Sequence, residues 1–261
     1  MLWNEFDPAP RAIINPEDCY APEPGFPEIC VGIFSRPILE WLLDAYGGEQ
    51  ISCFRCCLGD IPIYQIRAFG ASAAVFLPPV GGPGAAGTLE ESIPKGGRYF
   101  VYFGAAGVLE KGVSHGKLLL PTAAVRDEGL SYHYLPPADE VELAPENVAA
   151  CRQALAGLGV PFVEGKTWTT DAFFRETRQK AARRREQGCI SVEMECASLA
   201  AVARFRGVSF AQFFYATDTV DSEGWDHGIL REKGRGLEEI CFRAAVETGK
   251  NMAAQAAREK D

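Results

Sequence analysis

Five short apolar runs, recurring between stretches that suit helices, constrain this chain more than any other feature. They are Ile29–Phe34, Ala73–Leu77, Tyr99–Phe103, Cys189–Val192 and Phe210–Tyr215, none longer than six residues. Runs of that length without polar alternation read as strands buried on both faces, which in turn demands helices packed on either side of a sheet. Helical patterning falls between them. It covers Pro37–Tyr46, opened by Ser35 or Arg36, then Thr88–Ile93, Pro145–Leu158, Glu195–Phe205 and Gly236–Ala257, where Leu237, Ile240, Cys241, Ala244 and Ala245 share one face. Lys117–Pro121 and Ser131–Leu135 read as further strands, and Gly104-Ala105-Ala106-Gly107 as a glycine turn after Tyr99–Phe103. The expected class is α/β, a three-layer α/β/α sandwich on a mixed sheet.

The ends and the composition narrow the class of function. Six prolines fall within the first 28 residues, so residues 1–28 are expected to form an extended arm and 29–261 a single domain. With 47% hydrophobic and 23% charged residues the chain has the balance of an ordinary globular protein. A net charge of −9 repels a phosphate backbone and argues against nucleic acid as a partner. The one basic run, Arg175, Arg178, Lys180, Arg183, Arg184 and Arg185, reads first as a solvated helix face. Nine scattered cysteines, an odd number, and an N-terminus without signal-peptide patterning point to a reducing, cytoplasmic setting. Cys53, Cys56 and Cys57 cluster, but with three histidines in the chain and no second cysteine pair nearby no metal site is expected. No apolar run reaches the roughly 18 residues of a membrane span.

Glu193-Met194-Glu195 follows the Cys189–Val192 run and precedes a helix, the place where α/β folds put ligands. A carboxylate there can accept hydrogen bonds from two adjacent sugar hydroxyls. Two acids at a helix start also suit the helix dipole, and spacing alone leaves both readings open.

The longer stretch Ser191-Val192-Glu193-Met194-Glu195-Cys196-Ala197-Ser198-Leu199 resembles the signature of the purine nucleoside and uridine phosphorylase family. Four further segments resemble the family in the same order: Gly81-Gly82-Pro83-Gly84, Tyr102 to Leu109, Thr169 to Phe174, and Ala216-Thr217-Asp218. The resemblance implies a sheet that is partly barrel-like, with Met194 and Glu195 on the ribose and Glu193 beside them. It puts Phe173 on the base and Arg178 within reach of it, and makes Asp218 both a base contact and the acid that protonates the leaving group. The phosphate would lie on Gly32, Arg36, Gly104 and Ala105. Two positions depart from the pattern: Tyr102 and Ala105 stand where the family usually has an arginine and a threonine on phosphate. Arg36 or Arg55 could compensate, each equally readable as a surface ion-pair partner. Arg126 to Tyr134 also resembles the family and would line the site or a subunit contact.

The expected reaction is phosphorolysis of a purine or pyrimidine nucleoside to free base and ribose 1-phosphate. The resemblance implies inorganic phosphate as co-substrate, no cofactor or metal, and a homo-oligomer, a dimer or hexamer. The transition state is oxocarbenium-like, so positive charge on the sugar and negative charge on the base both need stabilising. Two alternatives stand beside it: a nucleosidase using water, and a nucleoside-binding protein without turnover.

Overall fold

A computed structural model describes residues 5–57, 59–109, 117–220, 225–226 and 236–258. Its centre is one mixed sheet in the order β11-β10-β6-β8-β9-β5-β1-β4-β3-β2, where β11 is Trp225–Asp226, with β7 (Glu140–Glu142) on β6 and an additional pairing of β10 with β5. That pairing closes β5 (Tyr99–Val108), β10 (Ser209–Val220), β6 (Leu118–Asp127), β8 (Phe162–Thr170) and β9 (Cys189–Glu193) into a ring. The remaining strands, β1 (Ile29–Ile33), β4 (Ala71–Phe76), β3 (Gly59–Ala68) and β2 (Glu49–Cys56), extend from it as an open sheet. The long helices α2 (Arg36–Tyr46), α3 (Gly82–Lys95), α5 (Pro145–Gly157), α7 (Cys196–Arg206) and α8 (Glu238–Arg258) cover the sheet. The expected α/β architecture with a mixed, ring-forming sheet is therefore present.

All five apolar runs became strands, because each is buried on both faces: every residue of β1 is buried, as are Phe100 to Gly104. Ser35 opens α2 by accepting the Ile38 N–H at 3.4 Å, as its residue type suggested. Three expectations are corrected. Gly104–Gly107 is no turn but the second half of β5, which runs on to Val108 and pairs with β10 on one side and β9 on the other. Ser131–Leu135 is not a strand; Ser131–Tyr134 forms the short helix α4, because the Glu128 carboxylate accepts the Ser131 N–H at 3.0 Å and the Ser131 hydroxyl as well. The proline-rich arm does hold one helical turn, α1 (Pro16–Cys19), since proline is suited to the first position and Asn15 and Asp18 form a capping box.

The arm packs on α3. Lys95, only 6% exposed, donates to Glu23 Oε1 at 2.6 Å and Ser52 Oγ at 2.8 Å, tying arm, helix and β2 together. None of the described helices is long and apolar enough to cross a membrane.

Candidate active site

Gly107 of β5 is the pivot of the site. It pairs with Val192 at the end of β9 and with Asp218 in β10, where a bulge between Ala216 and Asp218 shifts the register. Its missing side chain matters: a Cβ here would sit 3.0 Å from Val192 Cγ1 and 3.6 Å from Asp218 Oδ1. The strand that launches Glu193-Met194-Glu195 and the strand that carries Asp218 therefore meet at one residue.

Glu193 is wholly engaged in scaffold. Its Oε2 accepts the N–H groups of Glu195 and Cys196 at 2.8 and 2.7 Å, and its Oε1 accepts the Thr169 hydroxyl at 2.5 Å. Thr169 lies opposite Glu193 in the parallel β8–β9 pairing and its Oγ1 also accepts the Ala197 N–H at 3.0 Å. The start of α7 thus has its orphan donors met by side chains from two strands. Glu195, 6% exposed, uses Oε1 to accept the Gly81 N–H at 2.6 Å, from the glycine loop that precedes α3. Burial, and then the charge of Glu193, push the Glu195 carboxyl above the usual carboxylate range. Met194 is partly exposed between the two acids.

Behind α7, Glu128 accepts the Ser198 hydroxyl at 2.5 Å and the Ser131 N–H, while Arg126 donates to Ser131 Oγ at 2.7 Å. The Arg126–Tyr134 segment therefore braces the helix that presents Glu195.

On the side expected to hold the base, Asp218 is partly exposed and accepts the Thr217 hydroxyl at 2.9 Å. Phe173 and Phe174 are 52% and 88% exposed, with ring centroids 4.0 Å apart. Arg178 is the exposed first residue of α6 (Arg178–Glu186). The basic run is not wholly solvated: Lys180 and Arg184 reach Asp127 at 2.9 and 3.5 Å and lie over Trp168. Glu176, which the sequence did not single out, is partly buried, and burial followed by the Asp218 charge raises its carboxyl to about 7. Its signal was being the single acid between Arg175 and Arg185.

The side expected to hold phosphate has a different character. Tyr102 is fully buried, bonded through its hydroxyl to Thr88 Oγ1 at 3.2 Å, and paired in register with Gly32. A Cβ on Gly32 would lie 2.3 Å from Tyr102 Cδ1 and Cε1. Phe34 closes over Gly104, where a Cβ would lie 2.7 Å from Phe34 Cβ, and Phe34, Phe76 and Phe210 surround Tyr102 with centroids 5.9 to 6.0 Å away. Ala105 is exposed, as are Arg36, the first residue of α2, and Arg55 in β2. Among the described residues no group of three or more His, Cys, Asp or Glu is placed to hold a metal ion.

The Phosphorylase superfamily model matches residues 40–251, and the chain belongs to that family. A uridine phosphorylase of Thermococcus kodakarensis is 34% identical over 95 residues, 36% of this chain and 34% of that protein. A guanosine phosphorylase of Halorubrum lacusprofundi is 27% identical over 133 residues, 49% of this chain and 54% of that protein. The matched stretch thus spans between a third and just over half of these relatives. Purine nucleoside phosphorylase from Toxoplasma gondii, solved with immucillin-H, superposes with a TM-score of 0.70 at 17% identity, covering 90% of this chain and 93% of that one. An AMP nucleosidase from Bacteroides thetaiotaomicron superposes with a TM-score of 0.68, also at 17% identity, covering 87% and 90%. At these identities the two structures speak for the fold.

Proposed function

We propose that the protein cleaves the N-glycosidic bond of a nucleoside, with phosphate as acceptor, giving free base and ribose 1-phosphate. The observation that supports the cleavage reading is the junction at Gly107, which pairs with Asp218 on one side and, on the other, with Val192, just ahead of the Glu193-Met194-Glu195 motif whose buried Glu195 this reading gives to the ribose diol, Asp218 being its base-side acid. Glu195, fixed by Gly81, and Met194 bind the sugar; Phe173 stacks on the base; Asp218 supplies a proton as the base leaves. The phosphorylases among the relatives support phosphate as the acceptor. In this reading Gly32, Arg36, Gly104 and Ala105 contact it, and the active form is a homo-oligomer.

A second reading, hydrolysis, is favoured by Tyr102. A dianion placed against Gly32 meets an aromatic ring instead of a guanidinium, and a buried charge without a cationic partner is costly. Water carries no such cost. Incubation with a panel of purine and pyrimidine nucleosides, with and without phosphate, separates the two. Base release that requires phosphate and yields ribose 1-phosphate supports phosphorolysis; equal release without phosphate, yielding free ribose, establishes the hydrolase; no release from any nucleoside overturns both.

A further inference from the structure

Consecutive residues at the end of β6 reach different parts of the site. Asp127, the last residue of the strand, faces β8 and α6: its Oδ2 accepts the Trp168 indole N–H at 3.0 Å and Lys180 Nζ at 2.9 Å, and pairs with Arg184 at 3.5 Å. Trp168 is fully buried, so its indole fixes the carboxylate from inside, and the two cations of α6 dock on a charge already in place. Both also lie over the Trp168 ring, 6.0 and 5.5 Å from its centroid. Two residues on, the Gly129 N–H donates to Asp171 Oδ2 at 3.0 Å, while the Asp171 N–H returns to the Asp127 carbonyl at 3.4 Å. Glu128, between them, reaches α7 instead, where it accepts the Ser198 hydroxyl at 2.5 Å. Successive residues of an extended chain face opposite ways, which lets neighbours serve different elements.

The stretch 171–177 is therefore tied at both ends. Asp171 holds its start to Gly129; its end, Thr177, accepts the Lys180 N–H at 3.3 Å and so caps the helix that Asp127 pins. Between these ties the chain folds on itself, the Arg175 N–H donating to the Ala172 carbonyl at 2.7 Å and the Glu176 N–H to the Phe173 carbonyl at 3.2 Å. Phe173 and Phe174 are exposed, so their place depends on the two ends more than on packing.

We propose that Asp127-Glu128-Gly129 divides the positioning of the site: Asp127 and Gly129 hold the Phe173 segment against the end of β6, and Glu128 holds the helix that follows Glu195. Selectivity for the base and selectivity for the sugar are then set by adjacent residues of one strand end. This rests on the nucleoside reading, which gives Phe173 to the base and Glu195 to the ribose. Asp127, Glu128 and Gly129 are positioning residues, acting through the groups they hold. A misplaced recognition segment weakens binding of the part it recognises, so each arm has its own kinetic signature.

The test measures kcat and KM of the intact chain, with phosphate present, for adenosine, inosine, uridine and cytidine and for their 2′-deoxy forms. Two ratios result: preference among bases, and ribose over deoxyribose. Asp127→Asn keeps an acceptor for the Trp168 indole and removes the charge that Lys180 and Arg184 meet; Lys180→Met removes one partner from the exposed side. Each is expected to raise KM about tenfold, keep kcat within about threefold, and shrink the preference among bases while the sugar ratio stays. Glu128→Gln is expected to shift the sugar ratio and leave the base ratio. A merely destabilised variant has a smaller active fraction and moves neither ratio. Both ratios moving together in every variant, or neither moving in any, overturns the division. Hydrogen exchange read by mass spectrometry tests the anchoring itself: in Asp127→Asn and Lys180→Met the amides of 171–177 should exchange about tenfold faster, with those of 196–199 unchanged. Exchange in 171–177 equal to that of wild type overturns the anchoring. If no nucleoside is cleaved, the cleavage reading fails, and the exchange result alone upholds or overturns the anchoring.

Discussion

The two sides of the Gly107 junction are built from the same strand and behave as opposites. Toward β9 and β10 the chain collects acids and hydroxyls: Glu195 on the Gly81 N–H, Glu193 on Thr169 and two backbone amides, Asp218 on Thr217. Toward β1 it collects rings, with Tyr102 filling the space over Gly32 and Phe34 covering Gly104. Polar groups at this depth persist only when their partners are supplied, and on the first side they are. On the second side close packing does the same work without charge. The contrast teaches that a hydrogen-bonded half and a close-packed half can be built on one strand, each completed by its own partners.

The strongest way to break the comparison is to strip the polar side. Glu195→Ala removes a buried carboxylate that, unlike Glu193, is not consumed by the start of α7, and under the proposed reading turnover of any nucleoside that the wild type accepts should fall on the order of a thousandfold, because the sugar hydroxyls would lose their acceptor. Steady-state kinetics with circular dichroism to confirm folding check this; activity within a few-fold of wild type removes Glu195 from the ribose site. The aromatic side should answer differently. Tyr102→Ala empties a fully buried ring site and should cost about 3–5 kcal/mol of stability in urea unfolding. A loss below about 1 kcal/mol would mean that the ring is not core.

How far the sequence announced this contrast can be followed residue by residue. Buried strands and the acidic motif were legible because periodicity and residue type are local properties: Ile29–Phe34 contains β1, and Glu193-Met194-Glu195 sits at the β9–α7 junction as expected. Partnerships were not. That Glu193 caps α7 while Glu195 holds the glycine loop depends on Thr169 and Gly81, which lie 24 and 114 positions away in the chain. Gly104–Gly107 misled because glycine signals a turn by its freedom, whereas here its small size lets β5 pass beneath Phe34 and against Val192. Ser131–Leu135 misled because the carboxylate of Glu128 overrides the strand preference of a Tyr-His-Tyr stretch. The replacement of Arg by Tyr at 102 was visible, but its burial and packing required the tertiary structure.

A third measurement sharpens the polar side through pH. Glu195 in the folded chain holds its proton to a higher pH than the roughly 4.3 of an unfolded glutamate, through burial and then the Glu193 charge. The unfolded state therefore releases its proton first, so folding stability declines as pH climbs from about 4.3 until the raised folded value is passed. Glu195→Gln has no proton to lose there, and its amide oxygen can still accept the Gly81 N–H. It should melt a few degrees above wild type at mildly alkaline pH, on the order of 2–4 °C per kcal/mol, with the gap closing toward about pH 4. A constant gap across that window would show that the carboxyl is not raised by the fold.

The finest test returns to Tyr102, with the ring kept and the hydroxyl removed. Tyr102→Phe deletes one buried hydrogen bond to Thr88 Oγ1, at 3.2 Å, while leaving the contacts with Gly32, Phe34, Phe76 and Phe210 in place. Thr88 retains its own bond to the Ala85 carbonyl at 2.7 Å, so no donor is stranded. The expected loss is about 1 kcal/mol in urea unfolding with no change in the phosphate dependence of turnover. If instead Tyr102→Phe alters kcat or the response to phosphate, the hydroxyl is acting on the acceptor, and the aromatic side belongs to the reaction as much as the acidic one. If both measurements follow expectation, Tyr102 is packing, and the acceptor must be met by groups other than that hydroxyl.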